Sequence, residues 1–299
     1  MIRGKRNTGA ASLLALAAVV PAAILLPQSG QQEAEGTADR PARADVGDGV
    51  RAAAGKAPQR AAFANRVATF NVCNPCDQLT KAEVIAAEIA TYRPQVIGLQ
   101  EICVRQSARV RDILRSGYGL RYHLQHGSVV EHLGRCGGTP WDPGNFGNAV
   151  LSAAPISSPV VQKYPRGGSE PRGYVAVTTS VAGRQVRVFT THLAEAAQAA
   201  VRAEQVRFLA DRARQHPGAI VLGDLNATPD APELTPLWNG FRDADPACEP
   251  PGSGGCQATH PGVRKKFDYV FLDRGRYTPR GVGVHDTYSD HSLVHADLS

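Results

Sequence analysis

Six short segments between residues 68 and 292 set polar groups against apolar stretches of largely β-branched character. They are Ala68-Thr69-Phe70-Asn71, Val96-Ile97-Gly98-Leu99-Gln100-Glu101, Thr191-His192-Leu193, Gly223-Asp224-Leu225-Asn226, Phe267-Asp268-Tyr269 and Tyr288-Ser289-Asp290-His291-Ser292. A short β-branched run is a buried strand, and a polar residue at its end sits where the strand opens into a loop. The pattern therefore calls for a sheet protein whose strand ends converge on one polar site.

Between these segments, strand-like and helical runs alternate. Arg66 to Val72 reads as a strand, and Thr80 with Glu83 forms a capping box for a helix that Pro94 ends. Gln95 to Leu99 is a second strand and Arg105 to Ser116 a second helix. Leu120 to Gln125, Ala149 to Leu151, Tyr174 to Val181 and Arg187 to Thr190 read as strands, the last two joined as a hairpin across Ala182-Gly183-Arg184. A long helix is expected from Glu195 to Gln215, then core strands at Ala219 to Leu222 and Tyr269 to Leu272. Hairpins mixed with strand-helix-strand units predict an α/β fold of two packed sheets with outer helices. Trp141 and Phe146 are read as lying in the loop before Gly147.

The amino terminus has a different character. Arg3, Lys5 and Arg6 precede an apolar stretch from Ala10 to Leu26, broken by Ser12 and Pro21. Residues 1–30 are read as a signal for export, with an uncleaved membrane anchor as the alternative. Residues 31–61 are rich in Ala, Gly, Pro and charge and read as a disordered linker. Residues 62–299 remain for one domain. The formal charge is +6, and the signal's three bases account for half of it, since the linker's acids and bases cancel. A mildly basic domain suits a polyanionic substrate without specifying one. Six cysteines in an exported chain imply disulfides. Cys248 and Cys256 flank a Gly-rich loop and are expected to close it; Cys73 with Cys76 and Cys103 with Cys136 are one choice for the others. A zinc half-site at Cys73 and Cys76 is the rival, but no second such pair accompanies it.

Cleaving a phosphodiester requires neutralised oxygens, a deprotonated water and a stabilised leaving group. Glu101, at the end of the run from Val96 to Leu99, is the first candidate for a cation ligand. Asp224 and Asn226 lie two apart, so in extended chain they face the same way and address one phosphate or water. Asp290-His291 supplies a second carboxylate and a proton carrier, with Asp268 as the natural partner of that ring. His192 is a second imidazole.

Taken together and in this order, the segments make the chain resemble the endonuclease/exonuclease/phosphatase superfamily, whose fold is typified by pancreatic deoxyribonuclease. Gly147-Asn148-Ala149-Val150-Leu151-Ser152 matches a further family segment, and Arg172 stands where the family often carries a phosphate-binding arginine. The resemblance spans Val67 to Ser299. It implies a four-layer α/β sandwich, two mixed sheets flanked by helices, with the site at one end. It implies Mg2+ held by Glu101 with Asn71 and Asp290, with Mn2+ able to substitute and Ca2+ a further option. Proton transfer is then expected at His291, oriented by Asp268, and at His192. Asp224 and Asn226 are expected to position water and phosphate, and Arg172, Asn71 and Asn148 to bind the substrate phosphate.

His192 narrows the branch that the chain resembles. The exonuclease III and abasic-site repair branch usually lacks it; the deoxyribonuclease, sphingomyelinase and several phosphatase branches have it. The reading is a secreted, monomeric, Mg2+-dependent deoxyribonuclease-like nuclease acting on DNA, with Arg135, Arg172 and Arg264 near the site. A sphingomyelinase-type phospholipase, or a phosphatase for inositol or small phosphate esters, is the alternative. A binding module that has lost catalysis is a different class, but no expected group is missing here.

Overall fold

The computed structural model describes residues 61–73, 82–249, 251, 252 and 254–299. The expected signal, almost all of the linker, the Thr80 cap and the Cys76 half of the tight-bridge reading lie outside them. In chain order the elements begin with strand β1 (Phe63–Asn71), helix α1 (Ala82–Tyr92), β2 (Pro94–Cys103), α2 (Val104–Tyr118) and β3 (His123–Glu131). A short excursion follows, made of α3 (Leu133–Cys136), β4 (Gly138–Thr139) and β5 (Asp142–Pro143). Then come β6 (Asn145–Ser152), β7 (Ser157–Lys163), β8 (Gly173–Val181), β9 (Arg184–His192), α4 (Ala199–Arg214) and β10 (Ile220–Asp224). The chain closes with α5 (Thr235–Trp238), β11 (Phe241–Asp243), β12 (Asp268–Asp273), β13 (Pro279–His285) and β14 (Leu293–Leu298).

The strands form two six-stranded mixed sheets, ordered β13-β14-β1-β2-β6-β3 and β11-β12-β10-β9-β8-β7. Each has a parallel pair at its centre, β1 with β2 and β9 with β10, and each pair is flanked by antiparallel neighbours. Parallel neighbours need a crossover, and α1 and α4 supply one in each sheet. The carboxyl ends of the parallel strands, at Asn71, Gln100, His192 and Asp224, therefore point in one direction within each sheet.

Alternation of side chains along each strand builds three apolar layers. Val67, Val96, Val150, Val188, Leu222, Val270 and Val294 fill the space between the sheets. Phe70, Ile85, Ile89, Leu99, Val110 and Leu114 join one sheet to α1 and α2. Phe189, Val206, Leu209, Val221 and Phe271 join the other sheet to α4. The result is the four-layer sandwich. Gly98 lets the sheets close: a Cβ there would collide with Thr190. Polar bonds also cross the gap, from Gln100 Nε2 to Thr190 Oγ1 at 2.8 Å and from Asn148 Nδ2 to the Gly173 carbonyl at 3.0 Å.

Several elements depart from the expectation. The β8–β9 hairpin turns on two residues, Ala182 and Gly183, both with positive φ, and Arg184 already pairs with Val181. The long helix begins later than Glu195, because a 3-10 turn at Ala196–Gln198 precedes α4. The strand expected over Leu120 to Gln125 is shifted to β3, since Leu120 and Tyr122 pack under α1 and α2 ahead of it. Phe146 is not in a loop: it is a buried residue of β6, whereas Trp141 is exposed at the tip between β4 and β5.

Candidate active site

Strand register does most of the assembly. Asp224 pairs with Asp268 on one side and with His192 on the other, and His192 pairs with Gly173. Four neighbouring strands thus end in one row: Asp268, Asp224, His192 and the Arg172-Gly173 step. In the facing sheet, Asn71 pairs with Gln100, one residue before Glu101, and β14 brings Ser289-Asp290-His291 to the far side of β1.

Asp224 Oδ2 is the meeting point of the two rows. Asn71 Nδ2 donates to it at 3.0 Å, His192 Nε2 lies 3.4 Å away and His291 Nε2 3.6 Å away. The other oxygen, Oδ1, accepts the backbone N–H of Asn226 at 2.8 Å. Asn226 adopts a positive φ of 50°, and Glu101 one of 57°. Left-handed backbone at a non-glycine residue carries strain, which collects at functional sites. The bend at Asn226 turns its Nδ2 to within 3.0 Å of His192 Nε2 and 3.1 Å of the Leu193 carbonyl.

The two imidazoles sit in opposite electrostatic settings. His192 is buried, with Arg172 Nη1 3.0 Å from its Nδ1. Burial first, then the charges of Arg172, His291 and Arg135, hold its pKa well below the ordinary histidine value. Arg172 can only donate, so Nδ1 accepts, the ring is neutral and its Nε2–H faces Asp224 Oδ2 at 3.4 Å. His291 is also buried, which by itself disfavours charge, but Asp268 and Asp224 outweigh that cost and raise it to about 10. Its Nδ1 donates to Asp268 Oδ2 at 2.8 Å. Asp224 is pushed up to about 6 by burial, against the pull of His291.

Some partners carry no sequence signature. Thr259 Oγ1 donates to Asp268 Oδ2 at 2.7 Å and accepts the N–H groups of Phe267 and Asp268. Glu170 bridges Arg172 at 2.8 Å and Arg135 at 2.7 Å. A fully buried pair, Lys266 with Asp243 at 3.2 Å, anchors the chain just before Asp268. His260 packs edge-on to His291 at 4.8 Å and reaches to 3.8 Å from Asp290. Only repeated contact in three dimensions reveals these four.

Of the three expected cation ligands, Glu101 and Asp290 are carboxylates at the rim and Asn71 is an amide. The Glu101 and Asp290 side chains are 24% and 49% exposed, on either side of β1. Asn71 lies between them and donates from Nδ2 to Glu101 Oε1 at 3.4 Å, while its Oδ1 accepts the Cys73 N–H. Its amide meets the carboxylates as a donor of hydrogen bonds, and Asp290 groups instead with His260 and His291 in ligating distance. Asp224, Asp268 and His291 form the other such group. Carboxylate oxygens at a partly solvated rim are the kind of donor that a hard cation such as Mg2+ takes, and Asp290 and Asp224 each stand in one of the two groups, Glu101 in neither. Asn148 lines the cleft between Glu101 and His192, its amide committed to the Gly173 carbonyl. Arg264 lies in an exposed turn five residues after Thr259.

A family model described as "Endonuclease/Exonuclease/phosphatase family" matches residues 68–291. Among solved structures, an endonuclease/exonuclease/phosphatase from Beutenbergia cavernae DSM 12333 is 25% identical, with a TM-score of 0.60 over 78% of this chain and 70% of that one. A D. rerio TDP2 complexed with single strand DNA product is 18% identical, with a TM-score of 0.58 over 78% of this chain and 98% of that one. An endonuclease/exonuclease/phosphatase family protein from Leptotrichia buccalis C-1013-b is 17% identical, with a TM-score of 0.60 over 78% and 99%. No curated protein sequence matches the chain.

Proposed function

The chain belongs to the endonuclease/exonuclease/phosphatase family, whose members are hydrolases of phosphoester bonds, and from that premise we propose that it is an exported, Mg2+-dependent phosphodiesterase that cuts DNA. One observation carries the reading: a single buried carboxylate, Asp224, stands 3.4 Å from His192 Nε2 and 3.6 Å from His291 Nε2, where Asp268 favours a charged His291 and burial with Arg172 favours a neutral His192. Hydrolysis of a diester needs both a positive group facing the phosphate and an acceptor for the water's proton. The arrangement offers the two side by side.

In this reading Asp224 takes the proton of the attacking water, since a carboxylate raised to about 6 is close to neutral pH and so an effective base. Asn71 and the Asn226 N–H hold its two oxygens in place. His291, kept charged by Asp268, faces the phosphoryl oxygens and is the proton donor to the leaving oxygen. His192 stays neutral and supports Arg172, whose guanidinium Glu170 aligns for a substrate phosphate. Glu101 and Asp290 would hold Mg2+, which when bound supplies Lewis-acid neutralisation of the phosphate.

Export is supported by the Cys103–Cys136 and Cys248–Cys256 bridges, which persist in oxidising compartments. A D. rerio TDP2 relative has been captured with a single strand DNA product, and its shared fold supports a nucleic acid substrate. Parallel Mg2+ assays on plasmid DNA, sphingomyelin vesicles and a chromogenic phosphomonoester test the proposal. Turnover of the plasmid is expected; turnover of only the vesicles or only the monoester would move the enzyme to the phospholipase or phosphatase branch.

A further inference from the structure

The excursion between β3 and β6 takes no part in the chemistry above, yet it is tied to the strands that bear the site. Gly138 and Thr139 pair with Pro143 and Asp142, which makes a two-rung hairpin with Pro140 and Trp141 at its tip. Its foot is stapled by the Cys136 disulfide to Cys103, two residues beyond Glu101 in β2. Its far side is held by an ion pair from Arg105 Nη2 to Asp142 Oδ2 at 2.9 Å. The chain then runs directly into β6 and Asn148. Arg135, one residue before Cys136, joins Glu170 and through it Arg172.

This stapled hairpin presents a bare indole. Trp141 is 84% exposed, while the other tryptophan, Trp238, is 7% exposed and packed against Phe271. A lipid surface or an apolar protein patch needs contiguous apolar area. The excursion offers only Leu133, Pro140 and Trp141 as exposed apolar side chains, set among glycines, Arg135 and Asp142. A single flat ring suits another partner: an unpaired base gives the indole a π-face to stack on, and Arg105, an exposed cation paired with Asp142, the residue after Trp141, is available to the phosphates of such a strand.

We propose that Trp141 stacks on an unpaired base of a nucleic acid substrate, so that the enzyme prefers single strands or locally melted DNA to intact duplex. This rests on the nuclease reading of the neighbouring site. The stapled hairpin fixes where the ring stands, and the Arg135-Glu170-Arg172 link leads from it toward His192.

Intrinsic fluorescence tests the idea directly, because Trp141 is the exposed one of two tryptophans. In EDTA, an oligothymidylate should quench the emission, and a duplex of the same length should quench it less. Trp141→Ala should remove the quench and weaken oligothymidylate binding about 5- to 100-fold, with Trp141→Phe partly restoring affinity. Hydrolysis of a small chromogenic phosphodiester should be unchanged in Trp141→Ala, as Trp141 is 84% exposed and is not among the residues lining the cleft between Glu101 and His192. An unquenched signal, equal quenching by duplex, or quenching by phosphatidylserine vesicles alone overturns the proposal. If wild-type protein cuts DNA while the oligothymidylate leaves the emission unchanged, the nuclease reading survives and the stacking role falls. If the emission is quenched but DNA stays uncut, the stacking role stands and the nuclease reading falls.

Discussion

His291 donates from Nδ1 to Asp268 Oδ2 across 2.8 Å, and the same oxygen accepts the Thr259 hydroxyl. The carboxylate is thus fixed before the ring reaches it, and the ring presents its Nε2 toward Asp224. His291→Ala is expected to lower kcat by about 10²–10⁴-fold. Asp268→Asn should lower it as well, and the double variant should be little worse than His291→Ala, since both residues serve one proton. Multiplicative losses in steady-state kinetics would place Asp268 in some other role.

The same pair predicts a pH effect of definite sign. The negative charge of Asp268 raises the His291 pKa toward about 10. In Asp268→Asn the ring returns toward the ordinary histidine value and loses its proton at lower pH. The alkaline limb of the kcat profile should therefore move to lower pH in that variant. An unmoved limb would show that another group sets it.

Arg172 contacts both His192 Nδ1, at 3.0 Å, and Glu170, at 2.8 Å, from one nitrogen, Nη1. A lysine replaces the planar, delocalised guanidinium with a compact, strongly hydrated ammonium on a different stem, so it cannot keep this buried geometry. Arg172→Lys should cost about tenfold or more in kcat/KM, the loss expected for a weakened hydrogen bond to a charged group. Glu170→Gln should cost less, because the guanidinium stays in place beside His192.

Stability should depend on acid through a cluster away from the site. His295 stacks on His285 and Tyr92, and burial, with the charges of Arg66 and His285, lowers its pKa to about 4 from 6.5. The unfolded chain therefore binds a proton that the folded ring refuses. This contribution is full above 6.5 and is lost as the pH falls toward about 4. Urea melts of His295→Asn should show a flatter acid limb than the wild type; parallel limbs would assign acid sensitivity elsewhere.

Removing the Cys103–Cys136 bridge, which spans 33 residues of sequence, should cost about 2–5 kcal/mol in a denaturant melt. Equal midpoints for Cys103→Ser/Cys136→Ser and the wild type would mean that the Arg105–Asp142 pair and the β6 ladder suffice to hold the hairpin.

The strands that carry the site could be read from sequence where an apolar run meets a polar group. Val96 to Leu99 before Glu101 and Ala219 to Leu222 before Asp224 are such cases, and both are central strands buried on two faces. Other strands gave no such signal. β7 is exposed along its whole length, so no apolar alternation marks it. Asn145 to Ser152 is one strand, although Trp141 to Phe146 reads as an aromatic loop, because the hairpin turn and the strand start share those residues. The alignment of Asp268, Asp224 and His192 was not legible, since it depends on the order β12-β10-β9 and on register between distant segments. Thr259 and Glu170 escaped notice for a related reason: each acts through a partner far along the chain, and neither follows a strand.

The proposed chemistry needs a cation that Glu101 would hold beside the Asp224–His291 centre. The most direct measurement is nicking of supercoiled plasmid by wild type and by Glu101→Gln, each with Mg2+ and with excess EDTA. Nicking is expected only for the wild type with Mg2+, with both proteins giving the same far-ultraviolet circular dichroism. Nicking that persists in excess EDTA, or at the wild-type rate in Glu101→Gln, would contradict the account.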